Sequence, residues 1–178
     1  ISDPPKGKIQ YKNAKGTLNT DPDGALTFLK QMVSRTIEGG TIVALITDSS
    51  LLRRFRLQIL PEVWIKAIIS LPTASFGSYT SATHSLILIN KKKIDDKEEP
   101  FPARFLDSEE IIKQIKIDLP GIDEAETYQE LNDRIEDLVN VKSLSSSRIG
   151  KDVFHNDLYS IDVFTVNYHL SDSWDTIK

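Results

Sequence analysis

Three residues near the start of the 178-residue chain, Asp3-Pro4-Pro5, have the types and spacing to handle an exocyclic amine. Methylating such an amine requires its lone pair to be freed from ring conjugation and aimed at an electrophilic methyl carbon. Two acceptors achieve this by each taking an N–H hydrogen bond: a side-chain oxygen, here Asp3, and a rigid backbone carbonyl, here that of Pro4. Consecutive prolines supply the rigidity, because the ring fixes φ and leaves no competing N–H. An aromatic residue is expected next, to stack on a base flipped out of its duplex. The chain reads Lys6-Gly7 instead, with Tyr11 as an aromatic substitute from the same stretch. Taken alone, Asp-Pro-Pro is better read as a plain turn.

Further along, Phe76-Gly77 and Tyr79 stand in a loop rich in Gly, Ser and Thr between two apolar runs, an odd place for pure core. Arg53, Arg54, Arg56 and Lys91 to Lys93 can meet phosphates, although a solvated face explains them as well. His84 opens an apolar run and reads as a satisfied core or edge histidine. His155 and His169 lie in the tail without the carboxylate spacing of a metal site, so no metal is expected. No serine stands in a nucleophile elbow. With no cysteine, disulfides, thiolate zinc sites and cysteine nucleophiles are excluded.

The elements that must position these groups follow from composition and period. Hydrophobic residues make up 39% and charged residues 27%, the balance of a globular chain. A net charge of −4 argues against a molecule-wide electrostatic glue for nucleic acid, leaving room only for a local basic face. No apolar run approaches the roughly 20 residues needed to span a bilayer, and the expected location is cytoplasmic. Ile1 to Asp23 reads as a long loop. Asp21-Pro22-Asp23 opens a helix with Leu26, Leu29, Val33 and Ile37 on one face, stopped by Gly39-Gly40. Thr41 to Thr47 is a β-branched run expected to be buried on both faces, as in a parallel sheet.

Asp48-Ser49-Ser50 can cap a short helix through Leu60, which Pro61 ends. Val63 to Leu71 and Ser85 to Asn90 are further strands, and Ala103 to Leu106 a short edge strand. Ser108 to Ile117 and Glu126 to Asn140 read as helices, the second with Tyr128, Leu131, Ile135 and Leu138 on one face. From Val141 the chain reads as a linker or an arm packed on a neighbour. The expected division is 1–107, 108–140 and 141–178.

Four features in order then carry a resemblance: Gly39-Gly40 before a buried strand, the run Trp64 to Pro72 ending in Leu-Pro, the loop Phe76 to Thr83 with the returning strand Ser85 to Lys91, and Ala103 to Asp107. Together with Asp3-Pro4-Pro5 they resemble the C-terminal half of the catalytic domain of N6-adenine DNA methyltransferases of the type I restriction-modification methylation-subunit family. The resemblance implies an α/β fold: a partial Rossmann-like class I methyltransferase sheet made of the C-terminal strands, its last pair antiparallel, with a helical C-terminal extension. It implies methyl transfer to adenine N6 with Asp3, Pro4 and Pro5 at the amine, Phe76 and Tyr79 in the base loop, and Arg53, Arg54, Lys91 and Lys92 toward the DNA backbone.

The implied cofactor is S-adenosylmethionine. Its site falls mostly outside this chain, because the glycine-rich turn after the first strand precedes the region of resemblance. The fragment alone is therefore expected to be inactive. Implied partners are duplex DNA, a specificity subunit, a restriction subunit as a further candidate, and the missing N-terminal half. Two alternatives remain open: a non-catalytic methyltransferase-like scaffold for binding or assembly, which Lys6 favours, and an amino-methyltransferase acting on RNA or protein.

Overall fold

A computed structural model describes residues 8–12, 16–21, 24–72, 75, 82–95 and 101–170. The first element departs from the loop expected over Ile1 to Asp23. Strands β1 (Ile9–Lys12) and β2 (Leu18–Asp21) pair antiparallel as a small hairpin. Gly16, at φ 75°, takes the left-handed conformation between them. Gln10 and Leu18 are exposed.

Helix α1 (Gly24–Arg35) buries Leu26, Leu29 and Val33. Ile37, expected on the same stripe, is 81% exposed. The helix ends two residues earlier, and Gly39 at φ 73° turns the chain into β3 (Thr41–Thr47). Two short 3₁₀ turns, Asp48–Ser50 and Leu60–Glu62, flank α2 (Arg53–Gln58). Asp48 therefore does not cap α2 as expected; the residue before that helix is Leu52, which offers no capping side chain.

The main sheet has the order β3-β5-β4-β6-β7, with β4 at Val63–Ser70, β5 at His84–Lys91, β6 at Ala103–Asp107 and β7 at Gly150–Val153. Strand β5 runs antiparallel to both its neighbours, β4 and β6 are parallel, and β6 and β7 are antiparallel. Two expectations are corrected by this order. Strand β3 is an edge, with Ile42, Ala44 and Ile46 buried and Val43 and Leu45 only half-buried. Strands β4 and β6, each flanked on both sides, are the ones buried on both faces. Apolar runs look alike in sequence, and position in the sheet decides how much of each is covered. Strand β6 is not an edge, because β7 pairs along its far side.

Helices α1 and α2 pack on one face, joined there by α5 (His155–Leu158) and α6 (Val166–Leu170). The opposite face carries α3 (Ser108–Asp118) and α4 (Glu124–Asn140) over Ala67, Ile69 and Leu106. Asp107 caps α3 by accepting from the N–H groups of Glu109 and Glu110, and a capping box of Asp123 and Glu126 starts α4. In α4, Thr127 and Leu131 are the buried residues, whereas Tyr128, expected inside, is exposed.

The stretch expected as a linker or arm returns to this chain's own core. Phe164 is fully buried, packs its ring 5.3 Å from that of Phe55, and donates its N–H to the Leu51 carbonyl. Burying a side chain of that size is worth roughly 1.5–3 kcal/mol. Among the described residues no helix is long and apolar enough to cross a membrane.

Candidate functional site

In an open α/β sheet, ligands bind in the crevice outside the carboxyl ends of the strands. Here that rim is formed where β3 passes into Asp48, β4 into Leu71 and β6 into Asp107; β5, running the other way, brings its first residue His84 to the same end. A small niche of about 40 Å³ opens there, lined by Asp48, Ser70, Thr83, His84, Asp107 and Asn167, among others. The Ser85 hydroxyl donates to Asp48 Oδ1 at 2.7 Å, and the Asp48 N–H donates to the Thr83 carbonyl at 3.1 Å. Leu71 N–H donates to His84 O at 2.9 Å, and Ser108 Oγ donates to the Ser70 carbonyl. These bonds fix both stems of the connection between β4 and β5. With Asp48, Asp107 and Glu109 around it, the rim suits hydrogen-bond donors such as amines better than phosphates. Among the described residues no group of His, Asp and Glu is arranged to hold a metal ion.

The residues singled out from sequence are distributed unevenly about this rim. Asp3, Pro4, Pro5 and Lys6 lie outside the described residues, as do Phe76 and Tyr79. The stems of the loop carrying the last two, Leu71-Pro72 and Ala82-Thr83, meet at the rim. Arg53 and Arg54 open α2 just after β3 leaves the rim, Arg53 exposed and Arg54 half-buried. Lys91 and Lys92 stand at the other end of β5, about 24 Å away at ~3.4 Å per strand residue.

The structure thus does not join the two basic groups, and both lysines have intramolecular duties. Lys91 Nζ donates to the Val33 carbonyl at the end of α1, where a cation also meets the negative end of the helix dipole. Lys92 Nζ donates to Leu60 O and Tyr159 Oη and sits 4.1 Å from the Trp64 ring centroid. Arg56 donates to the Tyr159 carbonyl and pairs with Asp162 at 2.8 Å.

Three further polar groups hold the frame behind the rim. Arg104 of β6 is buried and grips Asp152 of β7 with two bonds, of 2.6 and 2.8 Å. Its remaining donors reach the Leu138 and Val141 carbonyls at the end of α4. His155 accepts the Ile65 N–H at Nε2, 2.7 Å away, beside the register shift in β4. The rings of Trp64 and Phe101 also pack edge-on against it. His169 lies 3.9 Å from the Phe105 ring; burial lowers its pKa to about 4, nearby Lys151 adds to the fall, and a hydrogen bond to the Val163 carbonyl opposes it. The sequence alone gave no sign of these pairings, because all but the bond from His169 to Val163 join residues tens of positions apart.

No protein-family model matches the chain, and none of the curated proteins does. Solved structures do. A modification subunit assigned to a type I restriction enzyme of Vibrio vulnificus superposes with a TM-score of 0.62 at 14% identity, over 98% of this chain and 38% of that one. A chain from structural work on complex assembly and conformational transition of the type I restriction-modification system gives 0.59 at 14% identity, over 92% and 36%. This chain shares their fold. It spans little more than a third of the length of either.

Two of the glycine positions are closed by packing. Gly39 and Gly40 enter β3 at the end away from the rim, and Gly40 is hemmed in by Thr36 and the Ile37 carbonyl. Gly150 is closed off by Leu106, Leu144 and the Phe105 carbonyl. Neither place is a glycine-rich turn leading from a strand end into a helix, the arrangement that holds a nucleotide-like cofactor such as S-adenosylmethionine.

Proposed function

We propose that this chain is the C-terminal half of the methyltransferase domain of a type I modification subunit, and that the whole protein methylates adenine N6 in duplex DNA. The observation that carries this reading is the fold shared with such a subunit over nearly the whole chain. The reading also accounts for β3, an apolar edge strand with Val43 and Leu45 half-covered. Such an edge invites pairing, and the remainder of the domain would supply the partner. In this reading S-adenosylmethionine provides the methyl group and is held by residues beyond this chain. Asp3 and the Pro4 carbonyl accept the two N–H bonds of the target amine, with Pro5 stiffening the turn. Phe76 or Tyr79 stacks on the extruded base. Arg53 and Arg54, nearer the rim than Lys91 and Lys92, are the better placed to meet backbone phosphates. The protein would work in the cytoplasm with a specificity subunit and a restriction subunit.

The test is methyl transfer to adenine-containing duplex DNA by the full-length protein with its partner subunits. Asp3→Ala is expected to reduce the rate by about 100-fold or more, in line with the loss of a general catalytic acceptor, while calorimetric binding of S-adenosylmethionine persists. Unchanged transfer removes Asp3 from the mechanism. Full-length protein that binds no S-adenosylmethionine removes the enzyme reading altogether. Lys6 favours a second reading, a methyltransferase-like scaffold without activity; cofactor binding with no transfer to DNA, RNA or protein acceptors would select it.

A further inference from the structure

Between β7 and the pair α5–α6 lies a cavity of about 590 Å³, within the range of about 300–1,000 Å³ usual for small-molecule sites. It is far larger than the niche at the rim and uses none of the residues assigned above to methyl transfer. Its wall toward β7 carries Arg148 and Lys151, and its wall toward α6 carries Tyr168 and His169. Two carboxylates line it among the described residues, Asp152 and Asp157. Asp152 is already neutralised by the two-pronged bond from Arg104, so two cations face one exposed acid. Alternation along β7 puts Lys151 on the face opposite Asp152, the face on which Phe105 and His169 stack. The rings of His169 and Tyr168 meet edge to face at 5.2 Å. His169, packed on Phe105 and kept neutral by burial, adds an uncharged ring rather than a third cation to the lining.

A site lined by two cations and two aromatic rings matches a ligand that has a phosphate at one end and a π-face at the other. We propose that this cavity binds a nucleoside phosphate, with the phosphate between Arg148 and Lys151 and the base against Tyr168 and His169. A free nucleotide and the end of a nucleic-acid strand share that chemistry.

The test is calorimetry on the full-length protein with S-adenosylmethionine kept saturating, so that adenosine recognition at a cofactor site is blocked. The probes are AMP, inorganic phosphate and a 5′-phosphorylated oligodeoxynucleotide. AMP or the oligonucleotide is expected to bind at least ten-fold more tightly than phosphate. Lys151→Ala should weaken that binding ten-fold or more, and Lys151→Arg should restore most of it. Tighter binding of the oligonucleotide identifies a strand as the source, and tighter binding of AMP a free nucleotide; either supports the site. Binding of phosphate alone as tightly as AMP, binding indifferent to Lys151→Ala, or no binding of AMP and oligonucleotide would each overturn it. None of these readouts depends on methyl transfer, so the site and the proposed enzymatic role stand or fall separately.

Discussion

Removing the guanidinium of Arg104 would leave the largely buried Asp152 carboxylate with the Leu144 N–H to answer it. A buried pair adds little net stability when intact, but losing one partner strands the other charge, typically at about 3–5 kcal/mol. Arg104→Met is therefore expected to destabilise by that amount in urea denaturation, and Arg104→Met with Asp152→Leu by clearly less. Equal losses in the single and double variants would mean that the pair is not the source.

His169 sets a pH dependence of its own. Its folded pKa of about 4 lies below the ordinary 6.5. Above pH 6.5 the ring is neutral whether the chain is folded or not. Between 6.5 and 4 only the unfolded chain takes up the proton, so stability falls as pH is lowered through that window and levels off below it. At about 1.4 kcal/mol per pKa unit, the loss is at most about 3.5 kcal/mol. His169→Phe should remove that slope from the difference between melts at pH 7 and pH 4.5, whereas an unchanged slope would assign it to carboxylates.

Among the elements, β7 is the most sensitive to one atom. A Cβ added at Gly150 would lie 2.8 Å from the Phe105 carbonyl and closer still to Leu106 and Leu144. The carbonyl belongs to the partner strand and cannot rotate away. Gly150→Ala is expected to loosen β7 from β6 at a cost of about 1–3 kcal/mol, seen as faster hydrogen exchange at Lys151 and Val153; unaltered exchange would show that the ladder yields.

The same strand marks where sequence reading fell short. Strands β3, β4 and β5 were legible because uninterrupted apolar runs declare themselves, and α3 because its acidic first turn and period agree. Gly-Lys-Asp-Val has no such pattern, since its stability comes from Arg104 and from the tail folding over it. The β1–β2 hairpin hid behind glycine and lysine for a similar reason. At the candidate site, Asp48 was visible only as a helix cap, and its bond to Ser85 follows from β5 running back beside β3. The motif at Asp3 and the aromatic loop were legible as chemistry but fall outside the described residues.

For the molecule as a whole, charge and cover divide it. Residues 108–140 hold ten carboxylates against Lys113, Lys116 and Arg134, so the α3–α4 side repels a polyanion. Residues 1–95 hold thirteen cations against seven carboxylates, so the positive charge is concentrated in the first half of the sequence. The β3 edge with Val43 and Leu45 is a strand whose cover is incomplete. In the 178-residue chain, Val43→Lys with Leu45→Lys is expected to reduce self-association in light scattering without loss of circular dichroism signal. Association that does not change would place the sticky surface elsewhere.

The antiparallel placement of β5 has a consequence in time. The central member of the trio β3-β5-β4 is the last of the three to be synthesised. At about 5–20 residues per second, the ribosome takes roughly 2–9 s to pass from the end of β3 to the end of β5. During that interval β3 has no ladder partner from the strands described here. Strand β4 can recruit β5 across a short connection, but β3 must close the longer loop back from residue 47, which carries the greater entropic cost. The sheet is therefore completed from its middle outward, and the apolar edge strand β3 waits for β5 in the nascent chain.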